Sequence, residues 1–326
     1  MKTLYRSLSA VLLAGTLCPC WAHHGGTSTS QGPGTPIETN TPLTLPKGGT
    51  VVYSRAEIAS FRKFADFHPE NIDSFQFYSV GVSHGLLDCL TATVTLPYTI
   101  KTQDSIGTAH GIGDARFALL FGFNYTPGEG LKINEEEDTA VNLGESNKTY
   151  FGVTTSMTTP LGQNRLDLNT GTVQGPLQPG FGTPSFQFGL SMVKGLNEHL
   201  SIAADTSYDV FTRRQDGQKY GNEWRVDVAG VYEIYADKEA FFQRLDGVLE
   251  LNYLNIARDQ ADFLPEEATG GQILYLTPGF RTKVGDFNFG AGVKLPIATR
   301  LNEHSLQQGS EGKEKVRYLF TVSTYF

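Results

Sequence analysis

Cysteine is scarce in this chain of 326 residues, which has only three. Cys18 and Cys20 lie within the first 22 residues, which have the features of a removable leader, so Cys89 is the only thiol of the remaining sequence. A single cysteine cannot form an internal disulfide, which excludes disulfide cross-linking of the fold. We predict that Cys89 is a small, buried, apolar side chain rather than a nucleophile.

Long apolar runs are also lacking after residue 22. No later segment approaches the roughly 18 consecutive apolar residues of a membrane-spanning helix. The sequence is instead rich in Gly (36), Phe (21) and Tyr (14), which suit short twisted strands and interfacial aromatic belts better than helices. The mean hydropathy of −0.23 agrees with a membrane β-barrel, because only alternate residues of its strands meet lipid.

Basic residues are outnumbered by acidic ones. There are 26 Lys and Arg against 34 Asp and Glu, which gives a formal net charge of −8. The charge becomes −10 when Lys2 and Arg6 leave with the leader. This balance argues against nucleic acid or anionic phosphates as partners.

The first residues follow the order of a secretory signal peptide. Lys2 and Arg6 form a basic region, residues 8–17 are apolar, and Cys20-Trp21-Ala22 places small residues at the −3 and −1 positions. We predict that residues 1–22 are the signal peptide and that cleavage after Ala22 leaves 304 of the 326 residues, beginning at His23.

Residues 23–49 are rich in Thr, Gly and Pro and have no apolar period. They predict an irregular N-terminal extension that is either a plug or a periplasmic strap. His23 and His24 beside the free α-amine could chelate copper(II), but an ordinary polar terminus is the simpler interpretation. The other histidines have no metal-ligand spacing, so we predict no metal and no cofactor.

From residue 50 onward, runs with a two-residue apolar period recur to the end of the chain. Most of them approach or exceed the roughly nine to eleven residues of a tilted transmembrane strand. They predict an all-β fold, a closed antiparallel transmembrane β-barrel of about twelve strands at residues 50–326. The predicted strands are 50–59, 74–83, 89–101, 113–125, 149–160, 183–193, 199–213, 222–236, 244–258, 271–283, 286–298 and 314–326.

The connections between these runs alternate in length. Tight turns are predicted at 85–88, 195–198 and 284–286, and long polar loops at 161–182, 259–270 and 300–313. Outer-membrane barrels have short periplasmic turns and long external loops, so an even strand number places both termini on the periplasmic side. Residues 126–148, with Glu135-Glu136-Glu137-Asp138, break this order. Either they form a periplasmic excursion or the fourth strand is misplaced.

Alternation within the strands assigns their faces. In the fourth strand Phe117 and Phe121 share one face and Arg116 lies on the other. A soluble sandwich would alternate in the same way with its apolar side inward. Trp224 and Tyr232 near strand ends suit an interfacial girdle, which favours lipid on the apolar side. The predicted channel-lining residues are Asp114, Arg116, Asp205, Asp209, Arg225, Asp227, Glu250 and Arg317.

Two of these charges are predicted to pair. The strands 199–213 and 222–236 are joined by a short segment and should form a hairpin. Matching faces place Asp209 opposite Arg225 or Asp227, within side-chain reach of Arg225 in either register. We therefore predict an Asp209–Arg225 ion pair inside the barrel, near its outer mouth.

The last strand has one apolar face that ends on an aromatic residue. Tyr318, Phe320, Val322 and Phe326 recur at even positions, and Phe326 is the final residue. This resembles the terminal signature of outer-membrane proteins, which the barrel-assembly machinery reads as an unpaired strand. We therefore expect that machinery and outer-membrane lipid as partners.

The order of short glycine motifs resembles the outer-membrane protein family named after the meta-pathway of phenol degradation. The matching pieces are Gly113-Asp114, Leu177-Gln178-Pro179-Gly180, Gly182, Phe188-Gly189, Tyr208, Tyr220-Gly221 and Val231-Tyr232. The resemblance covers about residues 50–326. It implies a barrel of twelve or a similar number of strands, often encoded beside functions of aromatic catabolism.

Two functions from different classes remain open at this stage. One is a passive channel for small, apolar or aromatic solutes, in which fixed charges of the lumen set selectivity. The other is a structural or adhesive surface protein whose lumen is plugged, because about twelve strands lie between the filled barrels of eight and the open barrels of sixteen. A barrel enzyme that acts on lipids would need Ser and His together at the lipid rim, and no such pair stands out.

Overall fold

The computed structural model describes residues 36–62, 72–103, 107–138, 147–163, 178–215, 217–302 and 314–326. The predicted signal peptide and the His23-His24 pair lie outside the described residues. The strands are β1 (Thr50–Phe61), β2 (Ile72–Leu87), β3 (Leu90–Gln103), β4 (Gly107–Ile112), β5 (Arg116–Thr126), β6 (Gly130–Ile133), β7 (Thr149–Thr158), β8 (Ser185–Gly195), β9 (Leu200–Phe211), β10 (Glu223–Ala236), β11 (Phe242–Ile256), β12 (Gln260–Ala261), β13 (Leu264–Pro265), β14 (Gly271–Val284), β15 (Phe287–Leu301) and β16 (Glu314–Tyr325).

Twelve of these strands form a closed antiparallel barrel, as the sequence predicts. Each strand of the ring pairs with its neighbours along the chain, and β1 pairs with the last strand, β16, from Val51↔Tyr325 to Phe61↔Glu314. The ring strands are β1, β2, β3, β5, β7, β8, β9, β10, β11, β14, β15 and β16. Closure gives each ring strand a hydrogen-bonded neighbour on both sides, as a strand within a bilayer requires.

One position of the ring is divided between two strands. β5 pairs with the first part of β3, from Leu90↔Phe121 to Thr95↔Arg116, and β4 pairs with the last part, from Tyr98↔Ile112 to Gln103↔Gly107. Residues 113–115 between them are not in a strand. The fourth predicted strand is therefore in the right place, but its first three residues form the interruption between β4 and β5.

The barrel is polar inside and apolar outside. Arg317, Glu250 and Lys294 are at most 4% exposed and point into the lumen, whereas Phe188 and Leu190 are about 60% exposed on the outer face. Contiguous apolar exposure of this kind would favour aggregation in water, but it is the outward band of a transmembrane barrel. The alternative of a soluble sandwich is therefore wrong.

The two ends of the barrel differ in the length of their connections. Residues 88–89 and 285–286 are the whole links of two hairpins, and Gly285 adopts a positive φ of 55° that the second turn requires. Thr50 and Phe326 exchange backbone hydrogen bonds at this same end. We call it the short-turn end, and the opposite end, which carries the long connections, the long-loop end.

The described parts of the connection after β5, residues 127–138 and 147–148, lie at the short-turn end, although this connection is long. β6 folds back on the last residues of β5, from Phe123↔Ile133 to Thr126↔Gly130, and a single 3₁₀ turn follows at Glu136–Asp138. The Asp138 carboxylate accepts a hydrogen bond from Lys148 at 2.5 Å, which raises the pKa of the Lys148 amine. The fourth strand is therefore not misplaced, and these residues form an excursion at the short-turn end.

Cys89 lies in the turn between β2 and β3 and is half-exposed. The prediction that it is buried is wrong, because the turn places it at the end of the barrel rather than on an inward face. Among the described residues, no helix is both long enough and apolar enough to span a membrane.

Candidate functional site

Residues 36–49 enter the barrel from the short-turn end and run up into its lumen, and we call them the plug. Gly48 donates a backbone hydrogen bond to Gly85 at that end, while Ile37 and Thr39 are fully buried halfway up the barrel. The sequence allowed a plug or a periplasmic strap for the N-terminal extension, and residues 36–49 form a plug.

Glycines on the inner wall make room for the plug. A Cβ on Gly279 would lie 2.2 Å from Ile37 Cδ1, and one on Gly122 would lie 2.9 Å from Thr44 Cγ2. Both distances are below normal van der Waals contact, so a larger residue at either position would displace the plug. These glycines therefore form part of the surface that receives it.

One carboxylate of the barrel binds the backbone of the plug. Glu250 accepts hydrogen bonds from the N–H groups of Ile37 (2.5 Å), Glu38 (3.1 Å) and Thr39 (2.9 Å), and from the Thr39 hydroxyl (2.7 Å). Consecutive amides that converge on one anion form a concave binding site. Asp205 adds a bond from the N–H of Asn40 at 2.5 Å.

Cations of the barrel bind the plug's own acceptors. Arg55 donates to the Ile37 carbonyl at 2.9 Å and to the Glu38 carboxylate, and Lys294 donates to the same carboxylate at 2.6 Å. The plug is thus held by charge-assisted bonds of both signs, each stronger than a bond between neutral groups.

The structure places all eight predicted channel-lining residues on the inward side of the barrel. Arg317 is bonded to Glu57 at 2.9 Å and to Glu314 at 2.6 Å. Asp227 faces Asp205 directly across β9 and β10. Seven of the eight are under 10% exposed, and the Arg116 side chain is 25% exposed.

The predicted Asp209–Arg225 ion pair is wrong. Asp209 lies opposite Glu223, and Arg225 lies opposite Ser207. Arg225 bonds along its own strand to Glu223, while Asp209 accepts from Gln187 Nε2 at 2.9 Å. The alternation of inward and outward residues determines the face of each side chain but not the register of the two strands. A shift of two residues leaves each side chain on the same face and changes every cross-strand partner.

Sequence reasoning missed part of the lumen network, namely Glu38, Arg55, Glu57, Glu223, Arg281 and Lys294. Arg55 and Glu57 alternate with outward residues in β1, which is the signal that could have found them. That strand also carries Tyr53 and Ala59 inward and Ser54 outward, which obscures the contrast between its faces. Glu38 belongs to a segment without any period, so no pattern marked it.

A cavity of about 120 Å³ lies inside the wall near the long-loop end, and we call it the mouth cavity. Residues 178–183 fold in beside it, and their Gln178 carbonyl accepts a bond from Lys101 Nζ at 2.9 Å. The Asp114 carboxylate accepts the N–H groups of Gly162 (2.9 Å) and Phe181 (2.6 Å), which fixes this loop to the wall.

Two of the sequence motifs used for the family resemblance meet at this point. A Cβ on Gly113 would lie 3.0 Å from the Pro179 carbonyl oxygen, and one on Gly180 would lie 2.8 Å from Asp114 Oδ1. The small residues of Gly113-Asp114 and Pro179-Gly180 thus allow the close approach of a loop and a strand junction that are far apart in sequence.

A smaller cavity of about 20 Å³ lies deeper, beside Asn40 of the plug, and we call it the mid-barrel cavity. Thr95 and Arg116 line both cavities. Arg116 therefore stands between the mouth cavity and the space next to the plug. No group of three or more His, Cys, Asp and Glu side chains arranged for a metal ion occurs in the described part of the chain.

Comparison with known proteins gives a family and a fold. The sequence profile of the family described as "Putative MetA-pathway of phenol degradation" matches residues 28–300. An outer-membrane channel from Pseudomonas putida F1 is similar in structure, with a TM-score of 0.63 and 14% identity over 87% of this chain and 97% of that one. The β-domain of the Bordetella autotransporter BrkA has a TM-score of 0.44 and 12% identity over 86% of this chain and 100% of that one. No curated protein matches the sequence.

Proposed function

The chain belongs to the MetA-pathway family of phenol degradation, and from this membership we propose that it is a passive outer-membrane channel for small hydrophobic or aromatic solutes. The observation that carries the proposal is the pair of cavities that share Thr95 and Arg116 beside the plug. Together they mark a route along one wall of the lumen, and the mouth cavity is lined partly by Phe77 and Phe181. The proposed role is transport without catalysis.

Uptake by intact cells tests the proposed function. We expect cells that produce the protein to take up radiolabelled toluene faster than cells with an empty vector, because the lipopolysaccharide leaflet slows apolar solutes. Sucrose uptake is the control, since the plug leaves no space for a disaccharide. Equal toluene uptake in the two strains would contradict the proposal.

The alternative of a structural or adhesive surface protein is favoured by one observation, the plug itself. Glu250 and Lys294 bind the plug, which occupies the lumen in this conformation. If the purified protein shows no ion conductance in planar bilayers, whether or not a solute is added, this alternative would be supported over a channel.

We also propose that the short-turn end faces the periplasm and that the protein is exported by its signal peptide and inserted by the barrel-assembly machinery. In β16, Tyr318 and Phe320 are exposed on the outer face, and Phe326 is 71% exposed at the end of the chain. A side chain this exposed adds little burial, so selection for recognition explains it better than stability does.

Replacing Phe326 with alanine is therefore expected to lower the amount of assembled protein severalfold. The unfolding free energy of refolded protein should change by less than about 1 kcal/mol, because so little of the ring is buried, and the backbone bonds with Thr50 are kept. Heat-modifiable mobility on gels measures assembly. Phe241→Ala, an exposed aromatic (80%) in a turn at the same end, is the matched control. Normal levels of the Phe326 variant would contradict the proposed signal.

A further inference from the structure

The acidic groups that line the mouth cavity already have donors. Glu57 accepts hydrogen bonds from Arg55 Nε at 2.8 Å and from Arg317 Nη1 at 2.9 Å. Asp114 accepts the two loop N–H groups that fix residues 162 and 181 to the wall. Both carboxylates are therefore engaged in holding the barrel and its loop, and a cationic solute would have to displace those partners.

Arg116 is bound more loosely than Arg55 and Arg317. Its guanidinium lies 3.3 Å from Gln187 Oε1 and 3.6 Å from Asp209 Oδ1, and its side chain is 25% exposed. The side chains of Arg55 and Arg317 are at most 2% exposed and lie in direct contact with carboxylates. A guanidinium carries five N–H donors, so Arg116 can bind a further acceptor.

The mouth cavity adds a second cation and an apolar wall. Lys101 lines it, with its Nζ bonded to Gln178 and lying 5.5 Å from the centre of the Phe75 ring. Phe77, Pro97 and Phe181 provide apolar surface. An apolar cavity of about 150 Å³ holds one benzene-sized molecule, so the mouth cavity, at about 120 Å³, has room for no more than a single ring or a short chain.

We propose that the mouth cavity binds small monocarboxylates with an aromatic or apolar body, and that Arg116 is the residue that selects for the carboxylate. The apolar body lies against Phe77 and Phe181, and the carboxylate takes the guanidinium in place of its long contact with Asp209. A bond between an arginine and a carboxylate away from bulk water is both strong and directional. Because Arg116 also lines the mid-barrel cavity, a bound solute would lie at the entrance to the space beside the plug.

This inference rests on the proposed channel function, since it names the solute class of the same route. Its test measures binding and not transport, so the two can fail separately. Binding of benzoate without any uptake by cells would reject the channel and keep the site. Uptake of toluene by a protein that binds benzoate and benzamide equally would keep the channel and reject the site.

The experiment is calorimetric titration of the purified mature protein in detergent with benzoate, its neutral analogue benzamide and the cation benzylamine. Benzoate should bind about tenfold more tightly than benzamide, as expected when a charge-assisted bond replaces a neutral one, and benzylamine should bind most weakly. Arg116→Gln should remove the preference for benzoate and leave the Kd of benzamide unchanged.

Arg213→Gln is the control, because that arginine lies at the long-loop end over the Phe263 ring and outside the mouth cavity. Heat-modifiable mobility shows whether each variant is folded. If Arg116→Gln does not fold, Arg116→Lys and Lys101→Met replace it, and both should weaken benzoate binding more than benzamide binding. Equal affinities for benzoate and benzamide in the wild-type protein would overturn the proposal, as would equal losses for both in the Arg116 variant.

Discussion

Deleting residues 36–44 is expected to raise the ionic conductance of the reconstituted barrel severalfold. These residues fill the lumen between Glu250 halfway up the barrel and Gly122 near its short-turn end. Without them the inner wall is lined by charged side chains that water and ions can reach. The wall itself keeps all twelve strands, because the deleted segment pairs with none of them.

Single-channel recording in planar bilayers measures this effect, and heat-modifiable mobility confirms that the shortened protein is folded. If the deletion barrel folds and conducts no more than the wild type, the side chains of the wall close the lumen by themselves. In that case the protein is not a channel that the plug controls, and the structural alternative gains support.

Glu250→Gln should also raise the ionic conductance, but by less than the deletion does. Both carboxylate oxygens of Glu250 accept hydrogen bonds from N–H groups of the plug. The side-chain amide of a glutamine would place an NH₂ donor opposite one of these N–H donors. A buried donor without an acceptor costs about 1–3 kcal/mol, which should increase the fraction of time that the channel is open. Glu239→Gln, an exposed glutamate in a turn, is the matched control and should record as wild type.

The barrel could be predicted from the sequence because the alternation of apolar and polar residues along a strand is a local property. A period of two residues needs no knowledge of partners, and all twelve ring strands follow from it, down to Phe326 at the end of the last one. The inward side of each predicted lumen charge follows from the same rule. The interruption at 113–115 was missed because Ala115 and Phe117 keep the period across it.

The plug and the ion pairs could not be predicted in the same way. Ile37 and Glu250 are 213 residues apart, and nothing near either residue in sequence records that they meet. The predicted register of Asp209 against the next strand was wrong for a related reason, because the length and contacts of the connecting loop set that register. The composition of residues 23–49 indicated a plug or a strap but not its contacts. Inward glycines such as Gly279 and Gly122 were a local sign of where the plug binds, because a glycine in a strand often marks the close approach of another backbone.

Replacing Arg317 with methionine is expected to lower the unfolding free energy by about 3–5 kcal/mol, the usual cost of breaking a buried ion pair by removing one partner. Arg317 is 2% exposed. It donates hydrogen bonds to Glu314 through Nε (3.0 Å) and Nη2 (2.6 Å), and to Glu57 through Nη1 (2.9 Å). Glu57 keeps Arg55, but Glu314, which is 1% exposed, loses the cation that these bonds supply. Both glutamates lie where β16 meets β1, so the penalty falls on the pairing that closes the barrel.

Urea unfolding in lipid vesicles measures the loss. Lys315→Met is the matched control, because the Lys315 side chain is exposed on the same strand. The cause is tested by the double variant Arg317→Met with Glu314→Gln. If an uncompensated buried charge is responsible, this second change should recover much of the lost stability, since a neutral pair costs far less to bury than a lone carboxylate. No recovery would instead attribute the loss to the packing of the long arginine side chain. An Arg317→Met midpoint equal to that of Lys315→Met would show that the arginine network does not stabilise closure at all.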